Sequence, residues 1–464
     1  MNIIFDKGSY RDPAGQVFYY KDNIYRGLNL EGCKRYKFIK ENQILDESIK
    51  NNFLINTKEV SNSNLFPSSK NFELILEHKK IDFISYPYEW CFDQLKDAAL
   101  LHLNFQLFLL EKNCILIDAS AFNIQFINSK PIFIDVLSLS KYTEGTYWIA
   151  HRQFCENFLN PLLLSSKKDI NFNNWFKGNL EGISTSDINA ILSLKDKINP
   201  SIFIHVFLMD RIQKKMIKNP NEVFSKIKKK KKISKNTYKS ILLQLKKTIS
   251  NLKKNNSVSQ WQNYSIENTY RSDEEKLKIK LVGNFSKKYK FNYLADLGCN
   301  DGLYSFTSLE NGSKNVVGFD FDLNSLNKAY LISKKKNLNF QTVYMDAVNP
   351  SPNQGWNEQE RKGLSQRIKF DGMIALAFNH HLAIAKNIPL EESIKWLVSF
   401  APKGIIEFVP KEDETVKKML QLREDIFSQY NEDIFKNILG KFAKITSKNV
   451  VSSSGRALYE FDIL

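Results

Sequence analysis

The most informative chemistry in this 464-residue chain lies in one short segment, residues 296–302, which reads Asp-Leu-Gly-Cys-Asn-Asp-Gly. An aromatic and aliphatic run leads into Asp296, and residues that can begin a helix follow Gly302. Asp296 is therefore predicted to end a strand, with Gly298 and Gly302 turning the chain into a helix. A loop of this kind at the edge of a parallel sheet can hold a nucleotide-like cofactor.

The glycine spacing and the sign of the charge indicate which cofactor fits. The G-x-G-x-x-G spacing that lets a backbone approach a pyrophosphate is absent, which disfavours a dinucleotide. Asp296 and Asp301 would repel a diphosphate, but they would attract the ammonium and sulfonium groups of S-adenosylmethionine. The segment therefore favours this methyl donor.

Three further apolar runs end in polar residues, which predicts parallel strands whose carboxyl ends meet at one crevice. The first run ends at Asp320, 18 residues beyond Gly302, where a carboxylate can bind ribose hydroxyls. The second leads to Asp346, which could accept a hydrogen bond from an adenine amino group. The third precedes His380 and His381, which could act as a catalytic base towards a hydroxyl or amine, or pack against the cofactor.

Taken in order, the segments DLGCNDG, VVGFD, VYMDA, FDGMIALAFNHHL and GIIEFVPKED resemble the class I S-adenosylmethionine-dependent methyltransferases over roughly residues 259–464. The resemblance implies an α/β fold with a doubly wound, Rossmann-like sheet of seven strands, closed by an antiparallel hairpin over residues 442–450 and 456–462. It also implies that Asp296, Gly298 and Gly302 contact the methionine part of the cofactor, with Asp320 on the ribose and Asp346 near the adenine.

Three short segments after the third strand, together with RDPAGQVF near the amino terminus, are similar to the rhizobial nodulation-type methyltransferase-like proteins. The three segments are Asn349-Pro350-Ser351-Pro352, Gly355-Trp356 and Glu360-Arg361. The resemblance implies a transferase whose acceptor is poorly defined. The sequence Asn379-His380-His381-Leu382 departs from the N-P-P-aromatic pattern of enzymes that methylate bases. Transfer of a methyl group to an oxygen or nitrogen of a small molecule is therefore favoured over nucleobase methylation.

A second polar arrangement lies upstream, where Asp118 and Asn123 are five residues apart and Asp135 follows twelve residues later. This spacing resembles the catalytic loop and metal-binding aspartate of protein kinase-like phosphotransferases over about residues 10–165. It implies Asp118 as base, and Asn123 and Asp135 as ligands of magnesium with ATP. The His-Arg pair, Gly-rich loop and lysine strand of that family are missing. The alternative is that Asp118 and Asn123 cap a turn and Asp135 ends a strand.

Length and charge suggest how the chain is organised. We expect an α+β domain, possibly kinase-like, over residues 1–210, a basic connector and helix over 211–258, and the methyltransferase domain over 259–464. Residues 211–256 hold sixteen Lys or Arg and one acid, which accounts for fifteen of the seventeen excess positive charges. The run Lys228 to Lys232 makes nucleic acid a possible partner. The alternatives to a small-molecule methyltransferase are an RNA-associated methyltransferase and a kinase-like ATP-binding protein with a scaffold carboxyl-terminal domain.

Other features narrow the protein class. The five cysteines show no paired or metal-ligand spacing, and the amino terminus carries charged residues instead of an apolar signal. No stretch of about 18 apolar residues predicts a membrane span. The sequence therefore predicts a cytoplasmic enzyme without a bound metal, and it leaves the oligomeric state open.

Overall fold

The computed structural model describes residues 3–60, 72–219, 233–254, 272–421 and 424–463. The chain divides into two compact units. The first unit comprises Met1–Asn255 and Asn353–Lys362, and the second comprises Asn256–Pro352 and Gly363–Leu464. The run from Lys228 to Lys232, and with it part of the predicted connector, lies outside the described residues.

The first unit is an α+β structure based on a five-stranded antiparallel sheet. Its described strands are β1 (Ile4–Phe5), β2 (Gly15–Tyr20), β3 (Asn23–Leu28), β4 (Thr57–Glu59), β5 (Leu74–His78), β6 (Cys114–Leu116), β7 (Ile124–Ile127), β8 (Lys130–Phe133) and β9 (Leu139–Lys141). The large sheet has the order β1-β2-β3-β5-β4, while β6 pairs with β9 and β7 pairs with β8. The loop between β6 and β7 and the turn after β8 carry the three residues of the kinase-like pattern.

The first unit has eleven described α-helices, of which Leu30–Glu41 and Phe92–Glu111 pack against these strands. The eleven are α1 (Leu30–Glu41), α2 (Ile44–Lys50), α3 (Phe92–Glu111), α4 (His151–Phe154), α5 (Asn160–Lys168), α6 (Asn173–Gly178), α7 (Thr185–Ile191), α8 (Leu194–Lys197), α9 (Pro200–Ile202), α10 (Met209–Lys218) and α11 (Lys235–Asn251). Helix α11 buries Tyr238, Leu242, Leu245 and Ile249. The helical spacing of apolar residues that follows the basic run therefore forms an amphipathic helix.

Short helical turns complete the first unit. A π-helical turn, Cys155–Leu159, joins α4 to α5, and a second, Phe203–Leu208, joins α9 to α10. The 3-10 turns are Pro87–Glu89, Ala121–Asn123, Val136–Ser138 and Trp356–Glu358. Each π-helical turn continues the helices on either side without a break, so residues 151–168 and 200–218 form two extended helical runs.

The second unit contains the sheet that the sequence predicts. Its described strands are β10 (Tyr293–Leu297), β11 (Asn315–Asp320), β12 (Phe340–Tyr344), β13 (Gly372–Ala375), β14 (Lys403–Phe408), β15 (Lys444–Val450) and β16 (Ala457–Asp462). Its helices are α12 (Ser272–Tyr289), α13 (Leu303–Glu310), α14 (Leu323–Lys336), α15 (Leu390–Val398), α16 (Glu414–Leu420) and α17 (Glu432–Phe442), with a π-helical turn at His381–Ala385 and a 3-10 turn at Leu364–Gln366.

The strand order confirms the predicted class I methyltransferase fold. The sheet runs β12-β11-β10-β13-β14-β16-β15, and β10 to β14 are parallel. Strands β15 and β16 form the antiparallel hairpin that closes the sheet. The chain leaves β10 towards β11 and β12 and then returns to β13 on the other side of β10. This reversal creates a crevice at the carboxyl ends of β10 and β13, where ligands of doubly wound sheets bind.

In the described part of the chain, no helix is both long enough and apolar enough to cross a lipid bilayer.

Candidate cofactor site

The loop after β10 is a tight turn that requires its two glycines. Gly298 has a φ of +81° and Gly302 a φ of +91°, both in the left-handed region that disfavours a side chain. A Cβ on Gly298 would lie 2.8 Å from a ring carbon of Phe378, and one on Gly302 would lie 2.7 Å from a ring carbon of Phe306. The loop therefore fits closely against Phe378, which follows β13, and against Phe306 of α13.

Asp296, near the end of β10, is a buried acid with a neutral partner. Its side chain is 2% exposed, and the Ser305 hydroxyl donates a hydrogen bond of 2.5 Å to its Oδ2. Burial raises the pKa of Asp296 to about 7, and the negative charge of Asp320 adds to this rise against the hydrogen bond from Ser305. A positive charge close to Asp296 would therefore favour its ionised carboxylate over the neutral acid.

Asp320 ends β11 and connects the two neighbouring strand ends. The backbone N–H of Asn300 donates to its Oδ2 at 2.8 Å, and the N–H of Asp322 donates to its Oδ1 at 2.8 Å. Burial raises the pKa of Asp320 to about 6, although both backbone hydrogen bonds act in the opposite direction. Among the described residues, the groups that set the pKa of Asp296 and Asp320 include no Lys or Arg.

Two residues next to Asp320 complete this edge of the sheet. Phe321 follows it with its ring 51% exposed, and the N–H of Met345, after β12, donates to the Asp320 carbonyl at 2.9 Å. Asp346 is half-buried, and its Oδ1 accepts a hydrogen bond from the N–H of Val348 at 3.1 Å. The structure thus brings the end of β12 beside Asp320, while the role of Asp346 at an adenine ring stays a prediction.

The residues after β13 contain unusual buried polar groups. Asn379 is 1% exposed and His380 is 0% exposed. In the described structure, neither the side-chain amide of Asn379 nor either ring nitrogen of His380 has a hydrogen-bond partner. Buried polar atoms are nearly always paired in native proteins, so unpaired ones next to a cofactor loop suggest a ligand. Asn379 was not among the predicted site residues, although its position directly before His380 and His381 could have indicated it.

The rings of His380 and His381 lie with their centroids 4.2 Å apart. Burial lowers the pKa of both, and it lowers the pKa of His381 to about 4, with the positive charge of Arg456 acting in the same direction. Both imidazoles are therefore neutral at pH 7 and can accept a hydrogen bond, but His381 is a weak base. His381 is the more exposed of the two.

A buried charge network that sequence reasoning missed lies behind these histidines. Glu407 of β14 is fully buried, and its carboxylate pairs with Lys278 of α12 at 2.6 Å. Its other oxygen accepts the N–H of Ala377 at 2.8 Å. Arg456 lies 3.7 Å from Glu407 and binds Asp413 at 2.6 Å. Glu407 stands inside the apolar run of β14, and an acid in such a run was the one sign of this network.

The kinase-like pattern in the first unit has a different electrostatic character. Arg26 of β3 forms ion pairs with Asp135 and with Asp12. Asp135 also accepts from the Ser138 hydroxyl and from the Leu137 N–H, so it caps the turn that follows β8. Burial alone would favour the neutral acid, but Arg26 and Ser138 outweigh it and hold the pKa of Asp135 below its usual value.

Asp118 and Asn123 lie together in the loop between β6 and β7. The N–H of Ser120 donates to Asp118 at 2.7 Å, and burial raises the pKa of Asp118 against this hydrogen bond. Asn123 is the last residue of a 3-10 turn, and a hydrogen bond from its side chain acts to lower the pKa of Asp118 against the effect of burial. Both the phosphotransferase role and the capping role of this loop stay open as predictions, but Asp135 already has a cationic partner.

Comparison with known proteins supports the assignment to a family. The chain is 42% identical to nodulation protein NoeA of Rhizobium meliloti strain 1021 over 458 residues, which covers 98% of this chain and 95% of that protein. No model of a known protein family matches the chain.

Similar solved structures include the PH0226 protein from Pyrococcus horikoshii OT3, with 18% identity over 43% of this chain and 98% of that one and a TM-score of 0.32. They also include magnesium protoporphyrin IX methyltransferase from Synechocystis PCC 6803 with bound SAH, with 20% identity over 41% of this chain and 84% of that one and a TM-score of 0.30. The fold assignment rests on the strand order and not on these TM-scores. By its identity and coverage with NoeA, the chain belongs to the NoeA family of nodulation proteins.

Proposed function

We propose that the second unit binds S-adenosylmethionine and transfers its methyl group to an oxygen or nitrogen of a small molecule. The observation that carries this proposal is the pair of buried acids, Asp296 and Asp320, at adjacent strand ends beside a glycine turn. Among the described residues, the hydrogen-bond partners of these carboxylates are a serine hydroxyl and backbone N–H groups, and both pKa values are raised. A cationic cofactor relieves the cost of ionising these acids, whereas a diphosphate would increase it.

Different residues at the crevice bind different parts of the cofactor. The turn from Gly298 to Gly302 and the acid Asp296 face the methionine part, and Asp320 binds the ribose hydroxyls. Its two carboxylate oxygens each accept one backbone N–H and keep a lone pair for a further donor. The exposed ring of Phe321 offers a surface for the adenine, with Asp346 as acceptor for its amino group.

The residues after β13 bind and orient the methyl acceptor. The cofactor supplies an electrophilic methyl group, so the protein's main task is to hold the acceptor atom in line and to exclude water. Neutral His381 can accept a hydrogen bond from an acceptor hydroxyl or amine and orient its lone pair. The Asn379 amide, which has no hydrogen-bond partner among the described residues, provides a second contact for a polar acceptor. We expect His381→Ala to lower methyl transfer more than affinity for S-adenosylmethionine, because the residue serves the acceptor.

Calorimetric titration of S-adenosylmethionine tests the cofactor assignment. The wild-type protein is expected to bind with micromolar affinity. The affinity of Asp320→Asn is expected to be at least about tenfold lower, because one good hydrogen bond to a charged group is lost. Asp462→Asn is the matched control: the same substitution in the same sheet, but at the end of an antiparallel strand, beside Lys403 at the start of β14. Equal affinity for wild type and Asp320→Asn would contradict the site.

Radiolabelled donor tests the acceptor class. The protein is incubated with methyl-labelled S-adenosylmethionine and with either the low-molecular-weight filtrate or the RNA fraction of a bacterial extract. We expect label in the small-molecule fraction, reduced in His381→Ala. Label that enters only RNA would overturn the small-molecule acceptor and favour the RNA-associated alternative.

A further inference from the structure

The first unit contains a cluster of His and Cys side chains that neither candidate site uses. Within the described residues, His151, Cys155 and His205 each offer one ligand atom, and these atoms lie within 4.8 Å of one another. His151 Nε2 is 2.8 Å from His205 Nδ1 and 3.7 Å from Cys155 Sγ. Cys155 is 1% exposed and His205 is 2% exposed, while His151 is half-buried, so two of the three ligand side chains are sheltered from bulk solvent.

The backbone around the cluster is specialised. His151 and Cys155 are four residues apart and therefore share one face of the helical run 151–168. His205 comes from the second run, residues 200–218. Cys155 and His205 both lie in π-helical turns, which are rare and occur frequently at functional sites. Two such turns that meet at the same three side chains are a second observation, independent of the distances.

Metal binding requires each ligand to offer a lone pair. A neutral imidazole does so at one ring nitrogen, and a cysteine thiol does so once it has lost its proton.

We propose that His151, Cys155 and His205 bind a Zn²⁺ ion, with a water molecule as the fourth ligand. Tetrahedral zinc places two nitrogen ligands about 3.3 Å apart and a nitrogen and a sulfur about 3.6 Å apart. The N–S distance of 3.7 Å already fits, and the two rings need to separate by about half an ångström from their 2.8 Å contact. On binding, the Cys155 thiol releases its proton to solvent and the thiolate bonds to the metal.

The surroundings agree with this assignment. A ligand set of one thiolate and two imidazoles binds zinc in preference to magnesium or calcium. The Gln244 side chain of α11 lies near the His205 ring, where a metal-bound imidazole needs an acceptor for its second N–H. The ion would join the two helical runs within the first unit. The sequence predicted no metal because His205 lies fifty residues beyond Cys155.

Cobalt substitution tests this site directly. The full-length protein is treated with a chelator, dialysed and titrated with Co²⁺, whose thiolate charge-transfer and tetrahedral d–d absorption bands report on the ligands. We expect one Co²⁺ per chain with both sets of bands, and displacement of Co²⁺ by added Zn²⁺. A folded wild-type protein without charge-transfer absorption would overturn the proposal.

Two variants separate the site from other thiols. Cys155→Ser is expected to lose the charge-transfer band and to weaken Co²⁺ binding at least about 100-fold, because the thiolate ligand is lost. Cys33→Ser removes a partly exposed thiol of the same unit and serves as the control with unchanged bands. If Cys155→Ser does not fold, His151→Ala replaces it as the test. A folded His151→Ala protein with wild-type Co²⁺ affinity would also overturn the proposal.

Discussion

Both units of this protein have acids at strand ends, but the acids differ in whether a cationic side chain pairs with them. In the first unit, Asp135 is paired with Arg26, which also binds Asp12, and its pKa is lowered. In the second unit, the hydrogen-bond donors to Asp296 and Asp320 among the described residues are all neutral, and the pKa values of both acids are raised. The first arrangement is already neutralised, whereas the ionised form of the second would be stabilised by a positive charge on a ligand.

This difference separates a structural acid from a binding acid more clearly than sequence spacing does. Asp-x-x-x-x-Asn with a later Asp is a recognisable pattern, yet its last acid holds an arginine and caps a turn. A buried acid with a raised pKa in a crevice is a candidate for a functional site, because its ionisation waits for a partner. Four predictions test this contrast.

The largest expected effect follows loss of the Arg26 side chain. Arg26→Met leaves Asp12 and Asp135 without their cation and should reduce the free energy of unfolding of the first unit by about 3–5 kcal/mol. Arg35→Met is the control, because Arg35 is partly exposed, donates to the Leu137 carbonyl at 3.4 Å and pairs with Glu31 at 3.4 Å in an i,i+4 arrangement worth less than about 1 kcal/mol. Urea unfolding measures both. If the two variants lose equal stability, the ion pairs of Arg26 are not structural.

The cofactor loop should be almost as sensitive. Gly298→Ala forces a side chain into the left-handed region at a cost of about 1–2 kcal/mol, and its Cβ would lie too close to Phe378. We expect affinity for S-adenosylmethionine to fall at least about tenfold. Gly440→Ala in α17 is the matched control, since its Cβ meets open space. Wild-type affinity in Gly298→Ala would mean that the turn does not shape the binding site.

The raised pKa values predict a pH dependence of cofactor binding. The free protein binds protons at Asp296 and Asp320 below pH values of about 7 and 6, and a cationic ligand must expel them. Affinity for S-adenosylmethionine should therefore rise at least about 100-fold from pH 5 to pH 7 and level off above about pH 8. Without ligand, stability should fall over the same range, because the folded state holds more protons than the unfolded one.

S-adenosylhomocysteine, which lacks the sulfonium charge, is the comparison ligand for this titration, and its affinity should rise less steeply. A flat profile for S-adenosylmethionine would show that neither acid responds to the bound cation.

The smallest expected effect is on ATP binding. Because Arg26 holds Asp135, magnesium and ATP should raise the melting temperature of the first unit by less than about 1 °C at millimolar ligand. Differential scanning calorimetry, with S-adenosylmethionine as the positive comparison, measures this shift. A clear stabilisation by magnesium ATP would restore the kinase-like role of Asp118, Asn123 and Asp135.

Local patterns carried most of the fold of the second unit. The apolar runs that end at Asp296 and Asp320 are strands β10 and β11, and the predicted hairpin is β15 and β16. These elements follow from short stretches of sequence, and their order then implies the sheet.

Contacts between distant residues were beyond prediction. Arg26 meets Asp135 across 109 positions, and Lys278 meets Glu407 across 129. No local period encodes such pairs, which form only when the fold brings the elements together. The roles of Ser305, which bonds Asp296, and of Asn379 were also beyond prediction. They depend on which groups face these side chains in the fold and not on their neighbours in sequence.

A crystal structure of the protein with S-adenosylhomocysteine tests the central claim most directly. We predict the ribose hydroxyls within hydrogen-bonding distance of the Asp320 carboxylate, the amino acid part over the turn from Gly298 to Gly302, and the sulfur directed towards Asn379 and His381. A ligand bound away from Asp320, or its adenosine held beside Asp118 and Asp135, would contradict the account.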